Sequence, residues 1–296
     1  MSDAASEHSS PQRNSSSENN SSSKGSSSKK PSFEKVDPEK HVDRLPTDEE
    51  MREWRQATTA HIEAVRSMMT VMAIKLTGEG RLLKLKGQAD ELLTQIIQEL
   101  HDRIKIHDDS KLESPEKEIF ARVTPDLESV TYGSKEYEEA KERLDVALDH
   151  HYRFNDHHPE HHRRGVAGMA LPELLEMLAD WVASSARHRD GSIFQSVHVN
   201  RREYDLPLPF AYRCVGTMYR LKQEEGPPER RAETHPGTFI GLAARFCALY
   251  GPNRNERSKD LLRGWTLSNT TLSIFRNTAR RYGLGPPLNI GGNSHA

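Results

Sequence analysis

The chain has 296 residues, a formal net charge of −2 and 34% hydrophobic residues. The near-balance of charge gives no footing for nucleic acid or an anionic membrane surface as partner. No apolar run reaches the roughly 20 residues of a bilayer span, and the polar N-terminus is not a secretory signal.

The low apolar content is concentrated in residues 1–45, which include the run SSSENNSSSKGSSSKKPS. A serine-rich segment without apolar periodicity cannot bury enough surface to offset its ordering entropy, so a disordered tail is expected there. The remainder, about 250 residues, fits one domain. Its signals are helical almost throughout, with no convincing strand and no internal repeat. Asp48–Leu76 reads as a helix entered near Thr47, with Ile62, Val65, Met68, Met69, Met72 and Leu76 on one face; Gly78 and Gly80 are expected to end it. A second helix spans about Gln88 to Ile106 with the stripe Leu93, Ile96, Ile97, Leu100 and Ile104. SPEKEIFARV from Ser114 reads as a capped helix with proline just inside its start. SKEYEEAKERLDVALDHHYRFN begins another at Ser134. A polar hinge, DHHPEHHRRG, separates it from a strong helix opening near Leu171, LPELLEMLADWVASSARH. Beyond Pro207 the pattern loosens; TFIGLAARFCALYG and TLSNTTLSIFRNTARRYG remain helical candidates, each stopped by glycine, and residues 286–296 look frayed. Two cysteines, Cys214 and Cys247, make neither a metal-type spacing nor a disulfide framework, so a reducing, cytoplasmic compartment is expected.

Several polar residues fall on apolar faces. Projected at about 100° per residue, His107 falls near Ile96 and Leu100, Asp108 near Ile97, and Lys111 on the line of Leu93 and Ile104. All three point inward if the second helix continues that far; if it stops short, they sit in solvent. His61 lies mid-face on the first helix, between Val65 and Met68. His150 and His151 end the fourth helix, His157, His158, His161 and His162 occupy the hinge, and Asp180 stands at the margin of the apolar face of the Leu171 helix. Imidazole and carboxylate groups converging from separate helices suit a zinc, manganese or iron site. The absence of thiolates disfavours a closed structural zinc site and fits an open one.

The set His61, His107-Asp108 and Asp180 resembles the spaced H…HD…D signature of the HD-domain superfamily, all-α metal-dependent phosphohydrolases. His107–Lys111 resembles the HDxGK of the HD-GYP phosphodiesterase branch with serine for glycine. HHPEHHRRG is faintly similar to its HHE…G element, without a following GYP. A closer resemblance is to a family of unknown function found mostly in bacteria and phages. Its strings HDxSK, VTP…YGSxEY, ALxHHYxxNxHHPEH, MxLxxLxEMLxDW and IFxNTA match His107–Lys111, Val123–Tyr137, Ala147–His161, Met169–Trp181 and Ile274–Ala279. The resemblance covers about residues 58–205 and resumes near 265. The chain departs from it by its serine-rich tail, by an extra segment over roughly 213–263, and by its surplus of histidines.

The resemblance implies an HD-domain-like helical bundle over residues 46–285. It implies that His61, His107, Asp108 and Asp180 hold a divalent metal (Mn, Zn, Co, Ni or Fe). Asp108 would bridge to a second ion, completed by His150 or His151 with His158. Lys111 would neutralise a phosphate or hold Asp108. His161 and Arg163 would meet an incoming anion, or are solvated loop residues. The expected activity is hydrolysis of a small phosphorylated molecule. The alternatives are a di-iron oxygenase-like enzyme and a non-catalytic scaffold with a structural metal or none. There is no glycine-rich phosphate loop to name the substrate.

Overall fold

The computed structural model describes residues 36–82, 88–130, 135–187, 197–198, 200–201, 204, 206, 211, 241–250 and 268–287. The chain divides into two units, Met1–Val36 and Asp37–Ala296. Residues 1–35, most of the 213–263 segment and residues 288–296 lie outside the described residues.

Among the described residues the protein is all-α, without a strand. Its helices are α1 (Asp48–Leu82), α2 (Gln88–Ile106), α3 (Glu116–Ser129), α4 (Lys135–Phe154), α5 (Leu171–Arg187), α6 (Gly241–Tyr250) and α7 (Asn269–Arg281), with short 3-10 turns between them. No helix among the described residues is long and apolar enough to cross a membrane. Residues 37–45, read from the sequence as tail, are built onto the second unit: Arg122 donates to Asp43 at 2.8 Å, and Val42 packs on a small apolar cluster of Ile119, Val123, Leu144 and Ala147 between α3 and α4.

The first helix starts on a capping box. Thr47 Oγ1 accepts from the Glu50 N–H at 3.2 Å, and the Glu50 carboxylate accepts from the Thr47 N–H at 2.7 Å, so two otherwise unpaired donors are satisfied. Contrary to expectation, α1 continues through Gly78 and Gly80 to Leu82. A glycine inside a helix costs only about 1 kcal/mol against alanine, and it terminates a helix when it turns left-handed, which Gly78 does not. Gly283 does, at φ 64°, and closes α7 as expected. At α3 the proline is Pro115, which stands at the cap position one residue before the helix.

The main core joins α1, α2 and α5. Val65, Met68, Met69, Met72 and Leu76 of α1 meet Leu93, Ile96 and Leu100 of α2 and Leu174, Leu175, Leu178 and Val182 of α5, all essentially inaccessible. Residues 169–180 are buried almost without interruption, so α5 is the central helix. Its N-terminus is tied to α7: the Leu171 N–H donates to Thr278 Oγ1 at 2.8 Å, and Asn277 donates to the carbonyls of Ala167, Gly168 and Met169 at 2.9–3.2 Å. The IFxNTA string is thus a clasp on the end of the histidine-rich hinge.

The capping carboxylate gives a pH test. The Arg44 guanidinium, with the Thr47 N–H, holds the Glu50 carboxyl down to about 2 from an ordinary 4.5. A depressed folded-state value contributes stability that is complete above 4.5 and is lost as pH falls toward about 2. Glu50→Gln should therefore melt below the wild type at neutral pH, and the difference should close as pH falls through that window. Thermal melts at a series of pH values check this; a pH-independent difference would contradict it.

Candidate metal centre

The cluster is assembled from separate helices and the turns between them. His61 comes from the middle of α1, His151 from the last turn of α4, and Asp180 from α5. Helix α2 does not continue through the motif as the projection assumed. The His107 N–H makes a last helical bond to Arg103 O at 2.9 Å, and Asp108 then turns left-handed at φ 57°. Aspartate tolerates that conformation better than most residues. A 3-10 turn, Asp109–Leu112, follows, with Lys111 N–H donating to Asp108 O at 3.0 Å. The reversal leaves Asp108 with 0% exposure while Asp109 faces outward and pairs with Arg66 at 2.8 Å. The expected inward Asp108 and outward Asp109 are found, but a left-handed turn produces them, not helical phase.

Asp108 divides the cluster. Its Oδ2 lies 2.6 Å from Lys111 Nζ, 3.5 Å from His107 Nε2 and 3.8 Å from His61 Nε2. Its Oδ1 lies 3.4 Å from His151 Nε2 and 3.5 Å from His157 Nε2. On the first side His61 Nε2 is 3.0 Å from Asp180 Oδ1, and donor atoms of His61, His107 and Asp180 all lie within 4.8 Å of one another. On the second side donor atoms of Asp108, His151, His157 and His158 do the same, with His151 Nε2 2.9 Å from His158 Nε2. Three atoms facing this space, His107 Nε2, His157 Nε2 and Asp108 Oδ1, are buried without a hydrogen-bond partner. An unsatisfied buried polar atom costs about 1–3 kcal/mol, and cations bound on the two sides of Asp108 would satisfy them. These buried groups could hold a metal ion.

The electrostatics suit a cation. Burial opposes charge on Asp108, but Lys111 and the surrounding histidines overcome it and hold the carboxyl well below its ordinary range. Burial likewise opposes charge on Asp180, and the hydrogen bond and charge of His61 prevail. Burial, with His158 adjacent, keeps the His157 ring neutral far below its usual pKa; burial and His151 push His158 down to about 3. His107 is the exception: burial lowers it, and the carboxylates of Asp108, Glu176 and Asp180 more than offset that. Ionised carboxylates beside neutral imidazoles are what metal ligation requires.

The remaining sequence-predicted residues separate cleanly. Of the pair His150/His151, only His151 enters the cluster. His150, about 100° further round the helix, is part-exposed and bonds Glu116 Oε1 at 2.7 Å from outside. Of the hinge histidines, His157 and His158 point in. His161 does not: it is exposed, and its Nδ1 bonds the Tyr152 carbonyl at 2.8 Å. His162 bonds the Asp156 carbonyl at 2.7 Å, and Arg163 is exposed. Sequence reasoning missed His157 as an inward group, and Glu116 and Glu176 entirely. Glu176 could have been found: Glu173, Glu176 and Asp180, spaced by three and four, put three carboxylates on one face of an apolar helix.

A model of a family of unknown function, DUF5662, matches residues 50–207. That span contains every member of the cluster and extends over more than half of the chain. No curated protein and no solved structure matches the chain.

Asp108→Asn should sharply reduce the zinc or cobalt retained after dialysis, because one carboxylate faces both groups of imidazoles. Asp109→Asn and His161→Ala should retain the wild-type amount. Metal content per folded chain measures this, and equal retention in Asp108→Asn would remove Asp108 from the site.

Proposed function

Since the chain belongs to the DUF5662 family, we propose from the site alone that it is a metal-dependent phosphohydrolase of HD type, acting on a small phosphorylated molecule. The observation that carries the reading is the placement of Asp108, a fully buried carboxylate with one oxygen toward His61 and His107 and the other toward His151 and His157. His61, His107, Asp108 and Asp180 would hold one divalent cation, and Asp108, His151, His157 and His158 a second. A bound divalent cation supplies an acidified water and polarises a phosphoryl oxygen.

The chain's own residues do the rest. Lys111 holds Asp108 by its ion pair at 2.6 Å, with 21% of its side chain exposed, and would supply the positive charge that a phosphate meets. Asp180 Oδ1 lies 3.0 Å from His61 Nε2 and pairs that ring with α5. Burial of the histidines keeps bulk water from their inward nitrogens. His161 is exposed, with its Nδ1 on the Tyr152 carbonyl, and the reading assigns it no ligand role.

Protein purified without added metal should contain manganese, zinc, cobalt or nickel, or accept one of them. It should hydrolyse a generic phosphomonoester such as para-nitrophenyl phosphate, and Asp108→Asn and His61→Ala should fall to the buffer rate. Iron content with oxygen consumption and no phosphate release would favour an oxygenase instead. No uptake of any of these metals would leave a scaffold.

A further inference from the structure

Glu176 faces two of the inward histidines at once. Its Oε1 lies 2.8 Å from His107 Nδ1 and 3.4 Å from His157 Nδ1, while its Oε2 accepts from Arg103 Nε at 2.5 Å. Arg103 precedes His107 by one helical turn and also bonds Asp156, the residue before His157. The carboxylate is 3% exposed, and paired with Arg103 it accepts only, so the His107 Nδ1 that it bonds carries a proton; the His157 Nδ1 faces the same oxygen at 3.4 Å. A ring neutral and protonated at Nδ1 has its Nε2 bare, and the Nε2 atoms of His107 and His157 are two of the buried unpartnered atoms. His107 belongs to one group of candidate ligands and His157 to the other.

We propose that Glu176 is a positioning residue shared by both groups: one carboxylate, oriented by Arg103, sets the tautomer and ring orientation of His107 and His157. Glu116 is its counterpart with shorter reach. It bonds His151 Nδ1 at 2.9 Å, and its second histidine, His150, lies outside the cluster. Asn155 Nδ2 lies 3.0 Å from the same nitrogen and also donates to Ser110 Oγ at 2.7 Å and His151 O at 2.8 Å. Loss of Glu176 should therefore weaken cation binding on both sides of Asp108, and loss of Glu116 on one side only. The inference rests on the metal-binding reading above.

The test is cobalt titration of the full chain, followed by calorimetry and by the visible ligand-field absorption, which a purely structural defect in the folded fraction would not move. Glu176→Gln keeps the size of the side chain but puts an amide N–H₂ against either Arg103 or the histidines. It should weaken cobalt binding about 10–100-fold, the usual effect of losing such a carboxylate, and should alter the absorption of every cobalt bound. Glu116→Gln should spare the cobalt held with His61. Wild-type affinity and spectrum in Glu176→Gln would overturn the proposal.

A second arm needs no metal. Proton–nitrogen NMR correlations of the histidine rings in metal-free protein should show Nδ1 protonated on His107 and His157, with Nε2 of His157 bare. That pattern should be lost for His157 in Glu176→Ala. If it survives, the positioning role is overturned. A wild-type chain that takes up no cobalt but shows the pattern supports the positioning role and overturns the metal reading alone.

Discussion

A fully buried carboxylate is the constraint around which this protein is arranged. Removing an aspartate from water without compensation costs several kcal/mol, so Asp108 must be met by positive charge from the chain, a ligand, or both. Lys111 meets one oxygen only. The other is left facing imidazoles without a hydrogen bond. Helix α2 ends at Ile106; Asp108 then turns left-handed, and the 3-10 turn that follows places the Lys111 ammonium against the Asp108 carboxylate. The left-handed residue has an energetic cost of order 1 kcal/mol. The Asp108–Lys111 ion pair lies within the same turn.

The same logic extends along α5. This helix is apolar enough to lie at the centre of the domain, yet it carries Glu173, Glu176 and Asp180, all nearly inaccessible. Each is answered from a different element: Glu173 by Arg281 of α7, Glu176 by Arg103 of α2, Asp180 by His61 of α1. Apolar surface alone would let these helices slide against α5 at small cost. Two buried ion pairs and the His61–Asp180 contact, costly to break where a charge is left unpaired, fix their register. The helices that hold the site together are thereby also the helices that place its ligands.

What the sequence disclosed follows from what is local. Helix periodicity marked the buried faces of α1 and α2 residue by residue, and the placement of His61 among methionines was enough to single it out. Asp108 was also legible, though through an assumption about helical phase that the left-handed turn overrules; two different backbones happen to send that side chain the same way. Choosing between adjacent histidines was not legible. His150 and His151 differ by one step on a helix whose apolar face is weak at that end, and what decides is Glu116, which reaches both from another helix. The hinge carries no period at all, so nothing local tells His157 and His158 from His161 and His162. The backbone carbonyls of Tyr152 and Asp156 take the latter two out, and such bonds exist only once the hinge has folded.

The hinge also shows why the cluster is not self-sufficient within residues 50–207, although they hold all its members. Its entrance is fixed from inside that span: Asn155 bonds the turn at Ser110, and Arg103 bonds Asp156. Its exit is not. The carbonyls of Ala167, Gly168 and Met169 are gathered by Asn277, Arg164 donates to Ser273, and Glu173 is neutralised by Arg281, all in α7. A loop held at one end can turn its histidines away from Asp108; a loop held at both cannot. The IFRNTA string of α7, far from the histidines in sequence, has on this account a physical role: the C-terminal helix closes the other side of the frame in which His157 and His158 are aimed.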